Sequence, residues 1–361
     1  MIETKYDFYL TGRETWQNML AEIKSARFSI DLEQYIFSND NTSRQFIEVL
    51  IGRAKTGVKI RMLCDTVGSW YFYNSPIMRN AVEAGIEIRF FNIVSPWQIG
   101  SISNWFFRDH RKILVVDDLV GFTGGIGILD EMENWRDTNV KVSGPIVGEM
   151  RLAFEEMWEQ SVNNDLISRI KKSAHLHRGS DFLTNAPYWR KHFLYKNIIA
   201  AIRGANSYIY LTTPYFVPTA KFRKALEKAK KRGVDVRILV PNSVNEIFVQ
   251  RASQSHYEEL LRSGVKIYHY TGRGSEFLHA KTGAIDDRWA TVGSFNLDSL
   301  SFLFNYEANI VSTEKTFVET IKNHFLEDIK FAKEITLSEW QQRSFLNKIL
   351  ETIVTPFRRF L

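Results

Sequence analysis

Two short strings in this chain carry the same three reactive side chains at the same spacing. "FRDHRKILVVDDLVGFTGGIGILDE" holds His110, Lys112 and Asp117, and "FLHAKTGAIDDRWATVGSFNLDS" holds His279, Lys281 and Asp286. Each is followed at the same distance by a pair of small residues, Gly124 and Gly125 or Gly293 and Ser294. Residues i and i+2 of a strand share a face, so each His-x-Lys sets an imidazole beside an ammonium. A single such pair reads as an ordinary surface or core feature, but two symmetric copies read as half-sites. Converging across a pseudo-twofold axis, they form a site for a phosphodiester. The lysines neutralise non-bridging oxygens, one neutral His attacks phosphorus, and the other, protonated, supplies a proton to the leaving alkoxide. Asp117 and Asp286 have the wrong parity for that face and read as structural groups at the strand end.

Imidazoles with divided duties need orientation, which carboxylates provide by accepting from Nδ1. Aligning the repeat sets "WRDTNVKV" against "NYEANIVS" and so Asp137 against Glu307, each in a strand-like run after its motif.

The elements that must position these groups are duplicated too. "SARFSIDLEQYIF" is echoed by "GANSYIYLTTPYF", strand-like alternations ending at Tyr35 and Tyr215. "FIEVLIGRAKTGVKIRMLCDT" is echoed by "FRKALEKAKKRGVDVRILVPN", a helical period, a glycine (Gly57 or Gly233) suited to a left-handed helix end, then a strand. "NAVEAGIEIRFFN" and "ELLRSGVKIYHYT" repeat that order. Two βαβαβ units predict an α/β fold of two repeated domains, each with a mixed, largely parallel sheet. The divisions expected are 1–160, a basic connection 161–183, a second half 184–336 and an amphipathic end 337–361. The site lies between the halves, and one chain contains both half-sites, so a monomer suffices.

Composition limits the classes. The chain has 361 residues, 44% hydrophobic and 14% aromatic, with a formal charge of +6; this is globular material for roughly two domains. The charge permits a phosphate-rich partner, nucleic acid or anionic lipid. The one cysteine, Cys64, sits in an apolar run as a buried thiol, which excludes a disulfide framework or a cysteine metal site within the chain. The sequence predicts neither a signal peptide nor a transmembrane helix. "GFTGGIG" lacks the Lys-Ser/Thr ending of a nucleotide loop. His175, His177, His192, His256, His269 and His324 have no duplicated partner and read as structural or surface groups.

The duplicated HxK(x)4D segments, with "GSFN" after the second, resemble the phospholipase D superfamily. "RDHRKILVVDDLVGFTGG", "WRDTNVKVSGP", "HYEELLRSGVKIYHY" and "FLHAKTGAIDDRWATVGSFNLDSLSF" are similar to bacterial cardiolipin synthases, from about residue 20 onward. The resemblance implies a double displacement without metal or other cofactor. His110 is then the nucleophile and His279 the acid, later the base that activates the acceptor. Lys112, Lys281 and Asn296 hold the phosphoryl oxygens, and Asp137 and Glu307 orient the imidazoles. Gly127 stands where many relatives carry a second Asn.

The function expected is cardiolipin synthesis from phosphatidylglycerol, with glycerol released. A hydrolytic phospholipase D making phosphatidic acid and a nuclease of the same superfamily stay as alternatives. Nucleic acid is the less favoured partner, because no aromatic-basic stacking platform is evident. A peripheral place on the cytoplasmic side of the membrane, against anionic lipid, is expected. Trp97, Ile99, Trp105, Phe106 and Phe107 are read either as core or as a lip at the bilayer interface. Phe345, Ile349 and Ile353 suit a helix lying on lipid or packed on the domain.

Overall fold

The computed structural model describes residues 3–93, 107–163, 179–187, 192–243, 247–272 and 276–343. The lip residues Trp97, Ile99, Trp105 and Phe106, most of the connection, His175 and His177, and the stripe Phe345, Ile349 and Ile353 lie outside them.

Seven strands form the first sheet: β1 (Lys5–Thr11), β2 (Ser29–Gln34), β3 (Lys59–Asp65), β4 (Glu87–Phe91), β5 (Lys112–Val116), β6 (Val120–Thr123) and β7 (Arg136–Ser143). Their order across the sheet is β1-β7-β6-β5-β2-β3-β4. The second sheet uses β8 (Ser180–Asn185), β9 (Tyr208–Thr212), β11 (Asp235–Pro241), β12 (Lys266–Tyr270), β13 (Thr282–Ile285), β14 (Trp289–Gly293), β16 (Glu307–Ser312) and β17 (Ala332–Ile335). Its order is β17-β12-β11-β9-β13-β14-β16-β8. A short pair, β10 (Phe216–Val217) and β15 (Leu297–Asp298), stands apart. Apart from the added β17, the second order repeats the first, with β8 taking the place of β1. Because β8 pairs along its whole length with β16, the chain enters the second sheet ahead of residue 184.

The sheets are mixed α/β, as expected, but their parallel share is smaller than "largely parallel" implies. Within the two large sheets parallel pairing is confined to β2-β3-β4 and β9-β11-β12, and the short pair β10-β15 is parallel as well. The strands that follow the motifs return antiparallel, because Asp117 with Asp118, and Asp286 with Asp287, adopt positive φ and close tight hairpins. The motif aspartates also tie each hairpin to the neighbouring strand. Asp117 accepts from the backbone N–H groups of Arg27, Phe28 and Ser29 at 2.7 to 2.9 Å. Asp286 accepts from Asn206, Ser207 and Tyr208 at 2.6 to 2.9 Å.

The central strand β2 is buried on both faces. Ile30 and Leu32 enter the apolar core beneath the helices Gly12–Ser25 and Asn41–Ala54. Asp31 and Glu33 face the other way and are also buried, which demands paired charges. Arg61 meets Asp31 at 2.7 and 2.8 Å, and Arg111 meets Glu33 at 2.6 and 2.9 Å. A separate apolar cluster joins the lobes: Ile113, Val115, Val140 and Val142 pack with Ala284, Val292, Ala308 and Ile310. Burying side chains of this kind contributes about 1.5 to 3 kcal/mol each for the larger ones, so the two sheets share one core.

Removing either motif aspartate strips three backbone donors of their acceptor. Asp117→Ala and Asp286→Ala are each expected to destabilise the chain by about 1 to 3 kcal/mol, measured by urea denaturation.

Candidate active site

The motif histidines stand just ahead of β5 and β13, and the segments carrying them do not pair within their own half. His110 N–H donates to Tyr306 O at 2.9 Å, and Tyr306 N–H returns a bond to Arg108 O at 2.9 Å. Symmetrically, His279 N–H donates to Arg136 O at 2.7 Å and Arg136 N–H to Phe277 O at 2.9 Å. Each bridge sets a histidine beside the acid that follows the bridge residue. His110 Nδ1 lies 3.0 Å from both oxygens of Glu307, and His279 Nδ1 lies 2.7 Å from Asp137 Oδ2. The two acids matched by the repeat therefore serve crossed partners, each in the opposite half.

Lys112 donates to His110 O at 2.7 Å and Lys281 to His279 O at 2.6 Å. Lys281 Nζ also lies 3.0 Å from His279 Nε2. Both ammoniums are almost wholly buried. Burial pulls Lys112 down to about 7 against the opposing pull of Glu307, and pulls Lys281 down to about 8 against Asp137 and Glu307. Burial also lowers both imidazoles. His279 falls to about 3, with Lys281 adding to the effect and Asp137 resisting it. His110 moves in the same direction, with Glu307 resisting. Lys281 helps to lower His110 and Lys112 helps to lower His279, so the half-sites share one electrostatic field. For Glu307, burial favours the neutral acid, but His110, Lys112 and Ser294 outweigh it and hold the carboxyl below its ordinary range.

The half-sites differ in detail. Ser294 Oγ donates to Glu307 Oε2 at 2.5 Å, and Ser301 Oγ donates to Oε1 at 2.6 Å. At the position of Ser294 the first half has Gly125, where a Cβ would come within 2.5 Å of the Asp137 carboxylate. Asn296 is buried two residues beyond Ser294, and its Oδ1 has no partner among the described residues. Its counterpart Gly127 donates its N–H to Met132 Sδ and accepts from Trp16 Nε1 through its carbonyl. A Cβ there would lie 3.1 Å from Ile36 Cβ, so packing occupies the place of a second carboxamide.

Thus His110, Lys112, His279, Lys281, Asp137 and Glu307 are brought together, while Asp117 and Asp286 are held in their hairpins. Sequence reasoning missed Ser301. The repeat sets it against Met132, a polar-for-apolar contrast that marks it. It missed two aromatic walls as well: Tyr35 stands edge-on to His110, ring centres 4.8 Å apart, and Trp135 lies 5.0 Å from His279. With each Nδ1 turned to a carboxylate, each Nε2 carries the lone pair or the mobile proton. Two such nitrogens beside two ammoniums suit nucleophilic and acid-base attack on an anionic ester.

A two-lobed α/β chain with crossed His-acid pairs and paired His-x-Lys segments has the phospholipase D architecture. The family described as "Cardiolipin synthase, PLD-like domain" matches residues 19–158 and 198–329. The chain is 33% identical over 354 residues to a cardiolipin synthase of Alkalihalophilus pseudofirmus, covering 94% of this chain and 69% of that one. It is 31% identical over 364 residues to a cardiolipin synthase of Clostridium perfringens, covering 96% and 75%. Among solved structures, phosphatidylserine synthase from Haemophilus influenzae superposes with a TM-score of 0.73 at 13% identity, over 99% of this chain and 95% of that one. The chain belongs to the cardiolipin synthase family of phospholipase D-like proteins.

An oxyanion held by these ammoniums requires them protonated. Sulfate, whose own charge is constant over the range, is expected to bind at least about tenfold more weakly at about pH 9 than at about pH 6, measured by calorimetry. An affinity independent of pH would remove the lysines from the anion site.

Proposed function

We propose that this protein is a phosphatidyltransferase that makes cardiolipin from phosphatidylglycerol through a phosphohistidine. The crossed pairs His110–Glu307 and His279–Asp137 carry the chemical reading, and family membership supports the lipid. In the first step His110 Nε2 attacks the phosphorus of one phosphatidylglycerol. The bond from phosphorus to the glycerol oxygen breaks, and the proton on His279 Nε2 passes to that oxygen. In the second step the neutral His279 removes a proton from the free glycerol hydroxyl of another phosphatidylglycerol. That oxygen attacks phosphorus, the P–N bond breaks, and cardiolipin leaves. Lys112, Lys281 and Asn296 hold the non-bridging oxygens. Glu307 and Asp137 keep each Nδ1 protonated and Nε2 aimed at phosphorus.

The low proton affinity of His279 fits this order once the ester is bound. An anionic phosphodiester draws Lys281 from Nε2 to its own oxygens and adds negative charge, and both effects favour the imidazolium. The greater exposure of the His110 side chain, 12% against 7% for His279, suits the group that must reach phosphorus. We place the enzyme peripherally, at the cytoplasmic face of the membrane. Among the described residues no helix is long and apolar enough to cross a bilayer.

Purified protein incubated with phosphatidylglycerol vesicles is expected to yield cardiolipin and free glycerol. His110→Ala and His279→Ala should abolish both products, while Glu307→Gln and Asp137→Asn should lower turnover by about a hundred- to ten-thousand-fold. Lipid analysis by mass spectrometry decides between acceptors. Phosphatidic acid without cardiolipin would make water the acceptor, and cleavage of DNA without lipid turnover would make the chain a nuclease.

A further inference from the structure

Exposed apolar side chains gather at the end of the molecule that holds the site. β3 ends at Asp65, whose carboxylate accepts from the backbone of Asp109, next to His110. The loop that follows carries Val67, Trp70 and Tyr71, with Trp70 59% and Tyr71 77% exposed. Its underside touches the wall of the site, for a Cβ on Gly68 would lie 2.2 Å from the carbonyl oxygen of Tyr35. In the second half Phe193 opens the helix after β8, whose last residue, Asn185, pairs with Glu307. Phe248 stands in the first turn of the helix Ile247–Gln254 after β11, 69% exposed. β11 runs parallel to β9, whose end pairs with Thr282 beside Lys281.

Several helix starts at this end carry exposed basic groups. The helices Asn41–Ala54, Pro76–Glu83, Phe193–Gly204 and Ala220–Lys231 all begin here and carry no acid in their first turn. Arg44, Arg79, Lys196 and Lys221 occupy those turns and are exposed. Basic groups at helix N-termini oppose the helix dipole, so helix stability does not account for them. Acids are also present at this end, most of them engaged within the fold: Glu14 accepts the backbone N–H of Leu10, Asp40 those of Ser43 and Asp130, and Asp130 those of Asn41 and Thr42, while Glu133 meets Arg13 and Glu131 is exposed.

We propose that this end of the molecule docks on an anionic bilayer. Trp70, Tyr71, Val67 and Phe248 enter the interface, where amphipathic aromatics are favoured, and the four basic side chains meet headgroup phosphates. The inference rests on the lipid reading of the site, because a lipid ester reaches buried histidines only if the site opens at the membrane surface.

The test is the partition of the full chain onto phosphatidylglycerol/phosphatidylcholine vesicles by flotation, with unfolding curves to confirm that each variant folds. The double variant W70S/Y71S is expected to partition about tenfold more weakly. R79E/K221E should lose at least about tenfold on these vesicles, at about fivefold per basic group, and nothing on phosphatidylcholine alone. F28S/L119S replaces exposed apolar groups at the opposite end of the first sheet and should bind as the parent does. His110→Ala should also bind as the parent, which separates docking from chemistry. Thus a chain that turns over no lipid but loses vesicles in W70S/Y71S keeps this proposal and loses the catalytic one. Unchanged binding of W70S/Y71S, or an equal loss in F28S/L119S, overturns it. So does a change of oligomeric state in W70S/Y71S without loss of vesicles, which would mark a contact between chains.

Discussion

Each histidine of the site is held by a carboxylate that belongs to the other half of the chain. Neither half alone contains a complete pair, so the chemistry depends on how the lobes meet. Two symmetric bridges fix that meeting, Asp109 with Tyr306 and Leu278 with Arg136. The apolar layer between β5 and β7 on one side and β13, β14 and β16 on the other holds the bridges in register. Buried ion pairs stiffen the flanks: Arg136 meets Asp328 at 2.8 and 2.6 Å, and Arg111 meets Glu33 beside the first motif. A displacement at the lobe interface would therefore reach both imidazoles at once.

Duplication gives two equal motifs, but the reaction needs unequal duties, and the surrounding residues supply the difference. Glu307 takes hydroxyl donors from Ser294 and Ser301 besides His110. Hydrogen bonds to the anion lower its basicity, which weakens its hold on a second proton of His110 and favours the neutral ring that the proposed attack requires. Asp137 accepts from Thr138 N–H and His279 and faces Gly125 instead of a hydroxyl. Its charge is less shared, but in the empty site burial and Lys281 outweigh it and hold His279 at about 3. Gly127 follows the same division: one half keeps a buried carboxamide, Asn296, whose Oδ1 has no partner among the described residues, and the other fills that volume with Ile36 and Met132.

Much of this was legible because a repeat compares positions. The spacing of His110, Lys112, His279 and Lys281 marked the half-sites, and alignment alone matched Asp137 with Glu307. Alignment states equivalence, however, and not contact, so the crossed pairing was invisible to it. The hairpins were underread because a double aspartate in the left-handed region looks like a charged strand end. The burial of Asp31 and Glu33 was not legible either, since their partners Arg61 and Arg111 lie far off in sequence. The equivalence of β1 and β8 was written in "DFYLT" and "DFLTN", strings too short to stand out before the sheets aligned them.

The lysines show what the site asks of the fold. In the unfolded chain each has a pKa near 10.5, and burial lowers this to about 7 for Lys112 and about 8 for Lys281. Between the folded and unfolded values the unfolded chain binds more protons, so their effect is to raise stability as pH increases through that window. Below it, both remain charged in a dry site, and their destabilising contribution is at its largest. On the proposed reading a phosphodiester anion would offset that unfavourable charge, so the burial that weakens the empty site would strengthen its hold on substrate. Hydrophobic residues at these two positions would suit the core better. The fold gives each ammonium a histidine carbonyl and a nearby carboxylate, and on the proposed reading an anionic ester completes their pairing.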